Sequence, residues 1–214
     1  MKISYLRCAI AAAAISVVST GWAATNLVEN GDFSLPDQNG GWTIYIPGTN
    51  GWVSTNGDGV EIGNSAIYGL PCASSSCQNL EVDANEYDTI GQTISGLTAG
   101  DTYTLSLLYG GRTSGGPDSL QIWFDGTLLT TASGSVGSWT PYSFSVTPSG
   151  TSAQLVFQAL DDGSGYPSYG NEVTNVSLTA SAPEASTWAM MALGFAGLGL
   201  AGWRSSRRAV AAAA

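Results

Sequence analysis

Residues 102–111 read Thr-Tyr-Thr-Leu-Ser-Leu-Leu-Tyr-Gly-Gly, and the alternation within this stretch decides the fold class. Every second residue from Tyr103 to Tyr109 is apolar, and Thr104 and Ser106 lie between them. Successive side chains of a β-strand point to opposite faces of a sheet, so this period of two predicts a strand with one buried face. The same pattern recurs at residues 120–124, 142–146, 155–159 and 176–178.

Turn sequences separate these predicted strands. Asp125-Gly126 stands between apolar residues 122–124 and 128–129, and an Asp-Gly pair in that setting predicts a two-residue hairpin turn. Pro148-Ser-Gly150 and Ala99-Gly100 punctuate other strands. Short strands at near-regular spacing predict an all-β domain, a jelly-roll β-sandwich over residues 24–181.

The charge of this domain excludes one class of partner. Of the 16 acidic residues in the 214-residue chain, 15 lie between Ala24 and Ala182, where Arg112 is the single basic residue. A surface this acidic repels phosphate backbones, so we expect no nucleic-acid binding. The acidity favours solubility or attraction of cations.

The first 23 residues have the organisation of a secretory signal peptide. Lys2 and Arg7 form a positive region, residues 8–18 are mostly apolar, and small residues precede the predicted cleavage after Ala23, with Ala24 as the second choice. Signal peptidase is therefore a predicted partner, and the chain is predicted to be exported.

The end of the chain predicts a transmembrane helix over residues 185–203. This run carries no charge, and as a helix it would be about 28 Å long, close to the about 30 Å of a bilayer core. Trp188 and Trp203 lie near its two ends, where indole rings favour the membrane interface. A basic stop follows on the cytoplasmic side, formed by Arg204, Arg207 and Arg208.

Residues 182–208 as a unit resemble the PEP-CTERM sorting signal, which joins a Pro-Glu-Pro motif to a Gly- and Ala-rich helix and an Arg-rich end. Pro183 and Glu184 match the motif, whereas Ala185 replaces its second proline. The resemblance implies recognition by an exosortase, a membrane enzyme that removes the tail. The precursor would be membrane-tethered, and the product would reach the cell surface or the extracellular matrix. An Ala-rich tail occupies residues 209–214.

The body is similar to galactose-binding-like jelly rolls of the carbohydrate-binding and DUF642-type (choice-of-anchor) kind. The residues that carry this similarity are Asn26 to Phe33, Gly41-Trp42, Gly51-Trp52, Gln92 to Leu107 and Asn175 to Leu178. The resemblance implies binding of carbohydrate or exopolysaccharide.

Such domains often hold a structural calcium, with ligands from the first and last strands. Here Ser34 and Thr174 stand where acidic residues are frequent, so Asp32 and Glu172 are the nearby candidates. Calcium accepts carboxylates flexibly. Solvated carboxylates without a metal are the alternative.

Cys72 and Cys77 are the two cysteines of the predicted exported body. Their short separation and the oxidising compartment predict a local disulfide, because two thiolates without histidine do not complete a zinc site.

The loops around Arg112 and around Tyr166 and Tyr169 are the predicted ligand-binding face, since they combine aromatic rings with polar groups. Packing of these tyrosines on the edge of the sandwich is the alternative. Four tryptophans are predicted to pack in the core or between sheets rather than to bind ligand, namely Trp42, Trp52, Trp123 and Trp139.

The sequence offers few residues suited to catalysis. The chain has no histidine, and its one lysine, Lys2, is in the leader. A carboxylate glycosidase would have to use Asp161 with Asp162, or a pair among Glu81, Asp83, Glu86 and Asp88. The sequence therefore predicts a non-catalytic exported surface protein with a carbohydrate-binding domain. The alternatives are a purely structural surface or biofilm matrix protein and, third, the glycosidase.

Overall fold

A computed structural model describes residues 25–114, 119–133, 136–161, 163, 165, 167–181, 188–189, 191–200 and 202. The described part of the chain contains twelve β-strands in two sheets of six, and all pairings between neighbouring strands are antiparallel. The all-β sandwich predicted from the sequence is confirmed.

Sheet 1 has the strand order β1-β4-β5-β12-β7-β10. Its strands are β1 (Trp42–Tyr45), β4 (Val60–Asn64), β5 (Gln78–Glu81), β12 (Asn171–Ala180), β7 (Tyr103–Gly111) and β10 (Trp139–Val146). Sheet 2 has the order β2-β3-β6-β11-β8-β9. Its strands are β2 (Gly48–Thr49), β3 (Trp52–Ser54), β6 (Thr89–Ser95), β11 (Ser152–Leu160), β8 (Ser119–Phe124) and β9 (Thr127–Ser133).

One hydrophobic core fills the space between the sheets. Sheet 1 contributes residues such as Leu105 and Tyr109, and sheet 2 contributes residues such as Ile122. Trp52 lies at the centre with its side chain fully buried, and its ring packs on Phe33 and Phe157 at centroid distances of 5.3 and 5.5 Å. Apolar burial of this kind is the main stabilising contribution to a sandwich.

The five alternating stretches lie where the sequence predicted strands, in β7, β8, β10, β11 and β12. Asp125 and Gly126 both have positive φ, 48° and 75°, which is the geometry of the predicted hairpin turn between β8 and β9. The alternation did not predict β6, nor the short strands β1 to β5. Strands β1 to β5 have two to five residues each, too few for the period of two to be distinguished from an irregular loop.

Residues 188–189, 191–200 and 202 are helical. Within the described residues, no helix has both the length and the apolar character needed to cross a membrane. The transmembrane helix at 185–203 therefore stays a prediction. The signal peptide, the motif residues Pro183 to Ala185, and the arginines from Arg204 to Arg208 lie outside the described residues.

Candidate functional site

Three glutamates lie side by side on the outer face of sheet 1. The register pairs Glu61 on β4 with Glu81 on β5, and Glu81 with Glu172 on β12. Residues directly opposite each other in a sheet share a face, so the three side chains form one row. The neighbouring row, which includes Leu80, faces the core. Despite their outward direction, the three glutamates are only 5%, 0% and 0% exposed, so other parts of the chain cover them.

The connection between β4 and β5 supplies part of this cover. The Tyr68 hydroxyl donates a 2.7 Å hydrogen bond to Oε1 of Glu61. Its ring lies against Gly63, where a Cβ would overlap the Tyr68 hydroxyl, so only glycine fits at that position of β4. The predicted disulfide between Cys72 and Cys77 is present in the same connection. The β4–β5 connection that covers the glutamates is therefore closed by a covalent bond just before β5.

Arg112 completes the cover and is the one basic residue of the body. Its Nη1 donates to both carboxylate oxygens of Glu81, at 3.0 and 3.2 Å, and its Nε donates to Ser114 Oγ at 3.2 Å. The guanidinium carbon lies 5.1 Å from the ring centroid of Tyr68 and 4.4 Å from that of Tyr169. Both distances are in the range of a cation–π contact, so the arginine is fixed by charge and by two aromatic rings.

Glu81 also positions the loop that carries Tyr169. The backbone N–H of Gly170 donates to Oε1 of Glu81 at 3.3 Å, and the N–H of Arg112 donates to the carbonyl of Gly170 at 3.1 Å. One buried carboxylate therefore anchors both loops that the sequence singled out, and it brings Arg112 and Tyr169 together; their binding of a ligand stays a prediction. Tyr166 lies outside the described residues.

The protonation of the glutamate row follows from burial. Burial first, and then the charges of Glu81 and Glu61, raise the pKa of Glu172 well above its usual value. Its Oε2 accepts a hydrogen bond from Asn79, whereas its buried Oε1 has no hydrogen-bond partner among the residues that the structure describes. An ionised carboxylate with an oxygen left without a partner is strongly disfavoured in the interior, so Glu172 holds its proton.

The pair of Glu61 and Glu81 holds a second proton. Burial raises the pKa of both carboxyl groups, and burial together with the charge of Glu61 raises that of Glu81 to about 9. Burial opposes the charge on Arg112, but attraction and hydrogen bonding by Glu81 outweigh it and raise the pKa of Arg112. The two glutamates therefore hold one proton and one negative charge between them, and the guanidinium, which donates to both oxygens of Glu81, pairs with that charge.

A pocket of about 250 Å³ opens above this network. Its walls include Trp42, Glu61, Tyr68, Asn85, Arg112 and Tyr169. Trp42 is 54% exposed, so its indole ring is available for contact with a ligand. The pocket thus combines aromatic rings with a guanidinium, a carboxyl group and an amide, the combination typical of ligand sites that read polar groups on a ring-shaped molecule.

The core assignment is wrong for Trp42 and confirmed for Trp52. Trp42 lies on the edge strand β1, directly opposite Gly63 on the outer face, whereas Trp52 is fully buried. Trp123 and Trp139 are half-buried. Sequence reasoning also missed Glu61 and Tyr68 as members of the site, because their alignment depends on strand register between β4 and β5.

The two calcium candidates contact different groups. Asp32 accepts hydrogen bonds from Ser34 N and Ser75 Oγ and lines a cavity of about 450 Å³ together with Asn175. Glu172 is absent from that cavity lining because it belongs to the buried row on sheet 1. No group of three or more acidic or sulfur ligands in the described residues could hold a metal ion. Calcium stays a prediction.

The acids considered for glycoside hydrolysis are dispersed. Glu81 is fully buried against Arg112, Asp83 accepts two hydrogen bonds from Asn171, and Asp88 accepts one from Ser54. Glu86 and Asp161 are exposed, and Asp162 lies outside the described residues. The carboxyl group that lines the pocket within the described residues is that of Glu61.

The fold is that of a β-sandwich, and its comparison with solved structures gives low-identity similarities. The chain resembles the C-terminal domain of EclA, described as a sugar-binding protein, at 17% identity and a TM-score of 0.37, covering 42% of this chain and 64% of that domain. It resembles the CBM22-1 xylan-binding domain of Paenibacillus barcinonensis Xyn10C at 10% identity and a TM-score of 0.47, covering 76% of this chain and 98% of that domain. It also resembles TmCBM61, solved with β-1,4-galactotriose, at 12% identity and a TM-score of 0.47, covering 74% of this chain and 100% of that chain.

The chain carries a PEP-CTERM protein-sorting motif, whose family profile matches residues 181–208. This confirms the resemblance predicted from Pro183, Glu184 and the segment that follows. No curated protein shows significant sequence similarity to the chain.

Proposed function

We propose that the protein is exported, sorted through residues 181–208 by an exosortase, and binds carbohydrate without catalysis in the pocket formed by Trp42, Tyr169 and Arg112. The observation that carries the binding proposal is the convergence of an exposed indole ring with hydrogen-bonding groups in one pocket of sugar-ring size. Aromatic faces pack against the C–H groups of a sugar, and polar groups bond its hydroxyls.

The composition of the pocket favours binding over hydrolysis. A glycosidase needs two carboxyl groups that both reach the scissile bond, separated by about 5–5.5 Å or about 6.5–9.5 Å. Among the described residues that line the pocket, Glu61 is the sole acid, and its partner Glu81 is sealed beneath Arg112. The presence of the pocket also favours a binding protein over a purely structural matrix protein.

A matched pair of tryptophan variants tests the proposal. The full chain, Trp42→Ala and Trp123→Ala are compared for retention on a panel of immobilised polysaccharides. Trp123 is a half-buried tryptophan on β8 in sheet 2 and is absent from the pocket lining, so it controls for general loss of an aromatic side chain. We expect Trp42→Ala to weaken retention at least tenfold and Trp123→Ala to leave it unchanged. Absence of retention on every glycan would refute the proposal.

A further inference from the structure

The availability of the charge on Arg112 decides what kind of sugar the pocket accepts. A guanidinium facing a pocket ordinarily favours an anionic ligand, because it forms charge-assisted bonds to carboxylates and sulfates. Here Nη1 of Arg112 already donates to both oxygens of Glu81, which is fully buried. Arg112 therefore lines the pocket as one member of an ion pair with Glu81.

The surroundings of the ion pair carry no surplus positive charge. Three carboxyl groups form the row beneath the pocket, from Glu61 through Glu81 to Glu172, and Arg112 is the one basic group that faces them within the described residues. With one proton on the pair of Glu61 and Glu81 and one on Glu172 the site is neutral overall, and loss of either proton makes it negative. An anionic ligand would meet these carboxyl groups in a medium where charge repulsion is weakly screened.

Two of the polar side chains that line the pocket, Arg112 and Glu61, offer a ligand a donor and an acceptor. Nη2 of Arg112 has no hydrogen-bond partner among the described residues, and the side chain is 18% exposed. Glu61 lines the same pocket and offers carboxyl oxygens. A hydroxyl group both donates and accepts, so two hydroxyls on adjacent sugar carbons can accept from Arg112 and donate to Glu61 together.

We infer that the pocket selects neutral sugars bearing adjacent hydroxyl groups and rejects sugars that carry a carboxylate or sulfate. This inference rests on the proposed carbohydrate function and adds the class of ligand. Trp42 supplies the stacking face, Arg112 and Glu61 read the hydroxyl pair, and the negative charge held by Glu61 and Glu81 neutralises the guanidinium.

The test uses pairs of glycans that differ only in charge. Each glycan retained by the full chain is compared with its counterpart in which the primary alcohol is oxidised to a carboxylate, or the carboxylate is reduced to an alcohol. Binding is measured by affinity electrophoresis at physiological ionic strength, where the Debye length of about 8 Å screens the rest of the acidic surface. We expect the neutral member of each pair to bind at least tenfold more tightly.

A second arm changes the protein instead of the ligand. Replacing Glu61 and Glu81 together by Gln keeps the sizes of both side chains but removes the one negative charge that the pair holds, which leaves the charge of Arg112 unmatched, so the preference should shift towards the acidic member. Glu86→Gln removes one negative charge at an exposed position and should shift nothing. If the double variant does not fold, the wild-type comparison still decides the matter.

The outcomes distinguish failure of the inference about sugar charge from failure of the proposed carbohydrate function. Equal or tighter binding of the acidic member by the wild-type chain overturns the inference and leaves the carbohydrate function intact. No binding to any glycan, neutral or acidic, overturns the proposed function and the inference with it. Preference for the neutral member, together with the shift in the variant that carries both Glu61→Gln and Glu81→Gln, supports both.

Discussion

Replacing Glu172 by Gln should remove an unusual dependence of stability on pH. The wild-type side chain is fully buried, one of its oxygens has no partner, and burial raises its pKa well above the usual value. The folded protein therefore keeps a proton that the unfolded chain releases above about pH 4.3. Glutamine has the same shape and needs no proton to be neutral.

The sign and size of the effect follow from proton linkage. Between the unfolded pKa and the raised folded pKa of Glu172, the native state binds one more proton than the unfolded state, so the free energy of unfolding falls as pH rises. This contribution is greatest below about pH 4.3 and declines by about 1.4 kcal/mol per pH unit. From about pH 5 upward the wild type should lose stability at this slope until the pH reaches the raised pKa of Glu172, and the loss per pH unit is a sizeable part of the about 5–15 kcal/mol of a typical domain.

Urea unfolding of the full chain at several values between about pH 5 and pH 8 measures this slope directly. Glu172→Gln should lower the slope by the contribution of one proton, leave the contribution of the proton held by Glu61 and Glu81, and exceed the wild type in stability at the alkaline end. Glu86→Gln is the matched control, because the same substitution at an exposed glutamate should leave the profile parallel to that of the wild type. A wild-type stability that stays constant or rises across this range would refute the assignment of a retained proton to Glu172.

Other perturbations test other parts of the molecule. Trp52→Ala should cost about 3–5 kcal/mol by urea unfolding because the ring is fully buried, whereas Trp42→Ala should cost about 1 kcal/mol or less; equal losses would contradict the assignment of Trp42 to the surface. Thiol labelling of exported protein without reductant should find neither Cys72 nor Cys77 free, and replacing both by Ser should cost about 2 kcal/mol; two labelled thiols per chain would contradict the disulfide. Intact-mass analysis of protein released at the cell surface should show loss of the segment beyond the sorting motif, and a mass that includes the terminal arginines would count against processing. Calcium at millimolar concentration should raise the melting temperature relative to chelator if the predicted site exists, and an unchanged value would remove it.

The sequence predicted the sandwich well where strands are long. In β7 the alternation of Tyr103, Leu105, Leu107 and Tyr109 is uninterrupted, and these side chains are buried as predicted. The short strand β5 gave no such signal. Its residues are buried on both faces because a disulfide-closed connection covers the outer one, so it carries polar and apolar residues alike and shows no amphipathic period.

The candidate site was only partly predictable, because some of its residues are brought together by strand register and not by a local sequence pattern. Arg112 and Tyr169 were found from their setting in Gly-rich loops, which is a local property of the sequence. The row of Glu61, Glu81 and Glu172 depends on the register between three strands, and register is fixed by packing across the sheet and not by any one segment. Trp42 was misassigned because the sequence Gly-Trp does not distinguish a tryptophan on an edge strand from one in a core.

The anchoring role of Glu81 sets the order in which the pocket can be assembled. Its bonds reach Arg112, 31 residues on, and Gly170, 89 residues on, while Asn79 bonds Glu172 across 93 residues. A chain that emerges amino end first therefore has no pocket until β12, its last strand, has paired. That strand ends at Ala180, immediately before the sorting motif at 181–208. The proposed ligand binding would consequently report complete synthesis of the body, and a chain truncated before Gly170 would lack the bond to Glu81 that positions the pocket.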